Sequence, residues 1–229
     1  MISLVITTYN RFETFLQKNI DKYLTNPYLS EIVIMDDCSS DYAKLVAAYS
    51  HISKIKILSQ AVNQGALRNK IMACGHASGP WICLMDSDNF ADVDYFVALY
   101  EEWSKHPPCE SCVYAPTQAG KLNYNHLAGK TITTSNWNEI QRQEEPFVNT
   151  GNYVFHISIL RYLTPILTMN TSTVYAMDVK FMNYFLIKNG IKILAVENMR
   201  YDHVVHPGSF YINTDRLSSM FNERFNWKL

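Results

Sequence analysis

Three runs of apolar, largely β-branched residues constrain what this chain can fold into: Ile2 to Thr7 (ISLVIT), Glu31 to Met35 (EIVIM) and Trp81 to Met85 (WICLM). Continuous apolar runs of this length mark strands buried on both faces, as in a parallel sheet. Between the first two, Phe12, Phe15, Leu16, Ile20, Tyr23 and Leu24 form a helical stripe that ends at Asn26-Pro27, because the residue before a proline is pushed out of the helical region. Ser39, Ser40 and Asp41 offer caps for a helix through Tyr49, Lys54 to Leu58 reads as a short strand, and Ala66 to Ala77 reads as a helix broken by Ser78-Gly79-Pro80. The first 105 residues thus read β-α-β-α-β-α-β-α. That alternation implies an open α/β sheet with right-handed crossovers and a ligand crevice at the carboxyl ends of its strands.

After His106-Pro107-Pro108 the rhythm changes. Val113 to Pro116 reads as a strand, and Gly120 to Pro146, rich in Asn, Gln, Thr and aromatics, reads as a long functional loop region rather than a core layer. Tyr153 to His156 is expected as a strand, Ile157 to Leu167 and Asp178 to Lys188 as helices, the latter closed by Asn189-Gly190, and Lys192 to Val196 as a final strand. With 229 residues and no internal repeat, the expectation is one domain, residues 1–229, in which a nucleotide-type half (1–105) is completed by a variable half (106–229) in the same sheet.

Composition removes several classes of function. A chain with 48% hydrophobic and 18% charged residues is ordered, and a net charge of -1 lacks the basic surplus of a dedicated nucleic-acid binder. No apolar stretch is long enough to span a bilayer, and the opening MISLVITTYNR lacks the features of a signal peptide, so the expected location is the cytoplasm. The five cysteines, an odd and scattered set, fit a reducing compartment. Cys109-x-x-Cys112 is their only close pair; prolines precede it where a redox motif has a strand, and no second CxxC completes a zinc site, so two ordinary thiols are expected.

The eight glycines are equally informative: no two have GxG spacing, so the dinucleotide fingerprint and the Walker A loop are absent. Acid stands at the strand ends instead, Asp36-Asp37 after the second strand and Asp86-Ser87-Asp88 after the fourth. A single Asp there would read as a turn former. Two clusters at the same end of adjacent strands read as a site, in which carboxylates approach a phosphate through a hard divalent cation.

The segments Thr7-Thr8-Tyr9-Asn10-Arg11, Met35-Asp36-Asp37-Cys38-Ser39, Asn63-Gln64-Gly65 with Arg68-Asn69, and Met85-Asp86-Ser87-Asp88-Asn89 resemble, in order and spacing, the nucleotide-binding half of the family 2 glycosyltransferases with the GT-A fold. The likeness is close over about the first 105 residues and looser beyond. It implies a Rossmann-like, mostly parallel sheet flanked by helices, with a variable acceptor-binding half. It further implies an inverting transfer of a sugar from a nucleoside diphosphate sugar, UDP-sugars favoured, to a hydroxyl of a glycan or lipid-linked acceptor, with Mn2+ or Mg2+. By the same resemblance Thr7, Tyr9, Asn10, Asp37, Arg68, Asp86, Ser87 and Asp88 form the donor-binding set: Tyr9 stacks on the base, Asp37 accepts from a uracil-type N-H, and Asp88 ligates the metal.

These roles make physical sense, since an aromatic face supplies contact area, a buried acceptor supplies base selectivity, and a cation neutralises the departing diphosphate. An inverting transfer also needs a general base, and Asp178 in Val174-Tyr175-Ala176-Met177-Asp178 is the counterpart of the family's helix-opening Asp, although Met177 replaces the usual acid before it. Asp178 would equally serve as a helix N-cap, and Glu144, Glu145 and Asp202 are the other candidate bases. In His203-Val204-Val205-His206, His206, and less so His203, suits the metal shell, though both also read as surface residues. The stretch Arg216 to Leu229, with Phe221, Arg224, Phe225, Trp227 and Lys228, is read either as an amphipathic contact with a membrane bearing a lipid-linked acceptor or as a segment packed on the domain.

Two competing functions are weighed against this. A sugar-1-phosphate nucleotidylyltransferase would open with a glycine-rich loop where Thr7 to Arg11 has no glycine, and a non-catalytic sugar-nucleotide-binding relative would have lost the metal acids, which are present.

Overall fold

The computed structural model describes residues 1–149, 151–170, 177–206 and 227–229. Strand β1 (Ile2–Thr8) leads through a π-helical turn (Phe12–Leu16) into α1 (Gln17–Leu24), followed by β2 (Leu29–Asp36), α2 (Tyr42–Tyr49), β3 (Ile55–Ser59), α3 (Ala66–Cys74), β4 (Trp81–Asp86) and α4 (Val93–Lys105). Then come β5 (Cys112–Ala119), β6 (Leu122–Asn123), β7 (Thr131–Ile132), α5 (Trp137–Gln143), α6 (Glu145–Val148), β8 (Val154–His156), α7 (Leu160–Leu163), α8 (Asp178–Lys188) and β9 (Lys192–Tyr201). The strands form one nine-stranded sheet in the order β3-β2-β1-β4-β8-β5-β9-β7, with β6 paired to β5. The first four are mutually parallel, β8 runs antiparallel between β4 and β5, and β5 and β9 are again parallel.

The apolar runs are buried on both faces, as their pattern requires. In β1, Ile2, Leu4 and Ile6 join the core beneath α1, α2 and α4, with Ile20, Tyr23, Leu45, Tyr95, Phe96 and Leu99. Val5 points the other way, with Val33 and Met35 of β2, into a second core formed with Leu67 and Ile71 of α3, Phe181 and Met182 of α8, and Trp137 of α5. Each such side chain contributes about 1.5 to 3 kcal/mol on burial. Two helical layers therefore clamp the sheet and hold its strand ends in fixed register.

The structure departs from expectation mainly in the second half. Gly120 to Pro146 is not merely a loop: Tyr124, Leu127, Ile132, Trp137 and Ile140 are buried, and the segment carries β6, β7, α5 and the first half of α6. Its anchors are too irregularly spaced to show a helical or strand period. The helix expected over Ile157 to Leu167 is only the short α7 between 3-10 turns (Ile157–Ile159 and Thr164–Thr168), because Pro165 has no amide to donate. The third helix stops at Cys74 rather than Ala77, and β9 runs on to Tyr201. Cys109 and Cys112 are free thiols with their Sγ atoms 2.7 Å apart at the start of β5, the end of that strand away from the acids. No helix among the described residues is long and apolar enough to cross a membrane.

Candidate active site

From β1 the chain moves outward to β2 and β3, then returns to the other side of β1 as β4. Open α/β sheets bind ligands at such a switch point, outside the carboxyl ends of the strands. Here it opens into a cleft of about 1420 Å³, and Thr7, Tyr9, Asp37, Arg68, Asp86, Ser87, Asp88, Asp178 and His203 all line it. Register explains the gathering of the acids: Thr7 pairs with Asp86 and Thr8 with Asp36, so both acidic segments leave the sheet at one level.

The two aspartates after β2 divide their work. Asp36 is the turn former, fully buried, its Oδ2 accepting from the Ser39 amide (2.8 Å) and the Ser59 hydroxyl (3.2 Å). Asp37 faces the cleft and accepts from the amides of Gln64 (2.7 Å) and Gly65 (2.9 Å). Gly65 has φ of +81°, a left-handed conformation that glycine adopts without strain and that here aims its amide at the carboxylate. Burial raises the Asp37 carboxyl above its ordinary value, and the two amides offset this only in part. Tyr9 is 49% exposed on the cleft wall, so it is not a core aromatic. Asn10 does not line the cleft; its Oδ1 accepts from the amide (2.8 Å) and hydroxyl (3.0 Å) of Ser40, tying the loop after β1 to the loop after β2. Arg68 reaches across the cleft to donate to the Met169 carbonyl at 3.0 Å.

After β4, both acids of Asp86-Ser87-Asp88 meet cations. Asp86 Oδ1 lies 3.0 Å from Lys70 Nζ. Burial would raise the Asp86 carboxyl, but Lys70, with Arg11 and His203 beyond it, holds it below its ordinary value. Asp88 Oδ2 lies 2.6 Å from Arg11 Nη1 and 3.3 Å from His206 Nε2. The His206 ring also packs on Phe15, with centroids 4.3 Å apart. The Asp86 amide donates to Asn152 Oδ1 at 2.7 Å, so Asn152 steadies the start of the acidic loop.

Across the cleft, α8 begins at Asp178, with Met177 in the N-cap position, so Asp178 is not the cap. The acceptor comes from Asn149 at the end of α6, whose Oδ1 takes the Lys180 amide at 3.1 Å. The Asp178 carboxylate is thereby released to the cleft, where Oδ2 lies 2.6 Å from Lys70 Nζ. Of the other candidate bases, Glu144 pairs with His126 (2.7 Å), Glu145 lines the cleft but faces Lys180 (3.4 Å), and Asp202 lies outside the cleft lining in a bridge with Phe90.

Asp88 and His206 offer the ligand types a divalent cation takes, a carboxylate oxygen and an imidazole nitrogen, and their 3.3 Å separation suits two neighbouring ligands of one ion. Among the described residues no group of three or more His, Cys, Asp or Glu is placed to hold a metal ion. Sequence reasoning assigned no site role to Lys70, Arg11 or Asn152; Arg11 belongs to one motif segment and Lys70 adjoins another, but nothing in their spacing announces that they face acids 77 and 108 residues away.

Trp227 is buried, with its carbonyl accepting from Trp137 Nε1 at 2.7 Å and the Lys180 ammonium 4.6 Å from its ring centroid. The packed reading therefore holds at this residue, whereas Phe221, Arg224 and Phe225 lie outside the described residues.

The family described as Glycosyl transferase family 2 matches residues 3–163. The Escherichia coli protein UDP-Glc:alpha-D-GlcNAc-diphosphoundecaprenol beta-1,3-glucosyltransferase WfgD is 30% identical over 90 residues, covering 39% of this chain and 35% of its own. The chain spans only 15 to 35% of the length of the curated relatives it matches. Its fold is similar to that of S. aureus TarS in complex with UDP, with a TM-score of 0.67 at 16% identity over 96% of this chain and 64% of that one. It is likewise similar to GalNAc-T7 with UDP, GalNAc and Mn2+, with a TM-score of 0.64 at 15% identity over 90% and 44% of the two chains.

Proposed function

Because the chain belongs to glycosyl transferase family 2 and has the GT-A architecture, we propose that it transfers a sugar from a UDP-sugar to a hydroxyl of a glycan or lipid-linked acceptor, with inversion. The observation that carries this reading is the cleft itself, where Asp86 and Asp88 stand at the switch point and Asp178 stands on the helix that faces them. Tyr9 offers its exposed ring to the base, and Asp37 offers a carboxylate to the ring N-H. A divalent cation held by Asp88 and His206 would neutralise the diphosphate as it leaves. Asp178 takes the acceptor's proton while the hydroxyl oxygen attacks the sugar carbon on the face opposite the departing diphosphate.

The UDP preference is supported by the UDP in the two structures of similar fold, and the lipid-linked acceptor by the name of the E. coli relative. A membrane contact would fall to Phe221, Arg224 and Phe225, since Trp227 is buried. Calorimetry of UDP and UDP-sugars with and without Mn2+ tests the reading. Binding should require the cation and fall about tenfold or more in Asp88→Ala. Equal binding in chelator and in Asp88→Ala would remove the metal role, and no binding of any UDP-sugar would remove the donor assignment.

A further inference from the structure

Lys70 lies where the two walls of the cleft meet. α3 carries it in from the sheet, its side chain is only 7% exposed, and Nζ sits 2.6 Å from Asp178 Oδ2 and 3.0 Å from Asp86 Oδ1. A lysine on a helix ordinarily extends to water, and burying an ammonium without partners is strongly unfavourable. Burial works to lower its pKa; the carboxylates of Asp178 and Asp86 more than reverse this and hold it above the ordinary lysine value. A permanent cation therefore links the acid that ends β4 to the acid that opens α8.

We infer that Lys70 is a positioning residue: it fixes the Asp178 carboxylate relative to Asp86, and so aligns the acceptor's proton acceptor with the bound donor. The inference rests on the reading of Asp178 as general base. In the step it serves, the acceptor O-H proton passes to Asp178, the O-H electron pair forms the new bond to the sugar carbon, and the broken bond's pair leaves with the diphosphate. Lys70 gains and loses no proton. Its contribution is therefore alignment. Misplacing a reacting group by about 1 Å costs roughly 10²-fold in rate.

A double-mutant cycle on transfer kinetics separates this role from a merely structural one. Lys70→Met should lower kcat about 10²-fold with only a few-fold change in donor KM, whereas in an Asp178→Asn background the same change should cost less than about threefold, because both variants remove one aligned base. Lys70→Met also leaves two carboxylates facing each other without a counter-charge. The cycle is therefore repeated with Lys70→Arg, which keeps the charge and loses the ammonium geometry; its smaller loss, about tenfold, should likewise vanish beside Asp178→Asn. Equal losses in both backgrounds, or wild-type kcat in Lys70→Met, would overturn the inference. Asp178→Asn with wild-type kcat would instead overturn the base assignment, and Lys70's role with it.

Discussion

With Asn149 closing the amino end of α8 and Met177 in the cap position, the Asp178 carboxylate has no helix amide to serve. Asp178→Asn should therefore leave α8 intact and donor affinity within a few-fold of wild type, while turnover falls roughly 10²-fold or more. Circular dichroism, UDP calorimetry and transfer kinetics on the same preparation check the three parts; near-normal turnover would return the search to Glu145, the other candidate that lines the cleft. At this scale the sequence was legible for residues that carry a motif and silent on those that complete it. Tyr9, Asp37, Asp86, Asp88 and Asp178 all reach one cleft. Asn10 turns out to be a clamp on Ser40, and Lys70 and Arg11 emerge as the counter-charges of the acids. A counter-charge is defined by what lies across the fold, and no local spacing encodes that.

Strand register has a second anchor, at the opposite end of the parallel sheet. Glu31 of β2 accepts from the Ser3 hydroxyl of β1 (2.5 Å) and from the amide (2.6 Å) and hydroxyl (2.8 Å) of Ser78, just before β4. Gly79 fits beside it because it lacks a Cβ, which would lie 2.6 Å from Ser3 Oγ. Burial works to raise the Glu31 carboxyl, but these hydrogen bonds outweigh it and hold the pKa below the ordinary value. A carboxyl lowered by folding contributes stability that is complete above its unfolded pKa and is lost as pH falls through the folded one. Glu31→Gln should thus cost about 1 kcal/mol at pH 7 after allowance for solvent screening. The gap between wild type and variant should close on acidification below the ordinary carboxylate range, as followed by urea unfolding across pH; a gap that stays constant to pH 2 would show that the charge plays no part. Elements with a regular period, β1 to α4, were legible within a few residues. Those from Gly120 to Pro146 were not, because single anchors such as Trp137 and Ile132 fix short pieces through tertiary packing.

At the scale of the whole molecule, β4 lies between β1 and β8, so the sheet passes without a gap from the first half of the chain to the second. Residues 1–105 alone would leave one edge of β4 unpaired and strip α3, with Leu67 and Ile71, of the α8 face it packs against. Such a fragment should elute from size exclusion as aggregate while the full chain does not; a monomeric, cooperatively unfolding fragment would show that the halves are separable. The ion pair of Lys70 with Asp178 spans 108 positions of the chain. At roughly 5 to 20 residues per second, a ribosome needs on the order of 5 to 20 s to make the second partner after the first. During that interval Asp86 is the only one of the two acids available to Lys70, and the cleft has one wall. The site is consequently a late product of synthesis, completed only when α8 has emerged and docked on a sheet that was waiting for it.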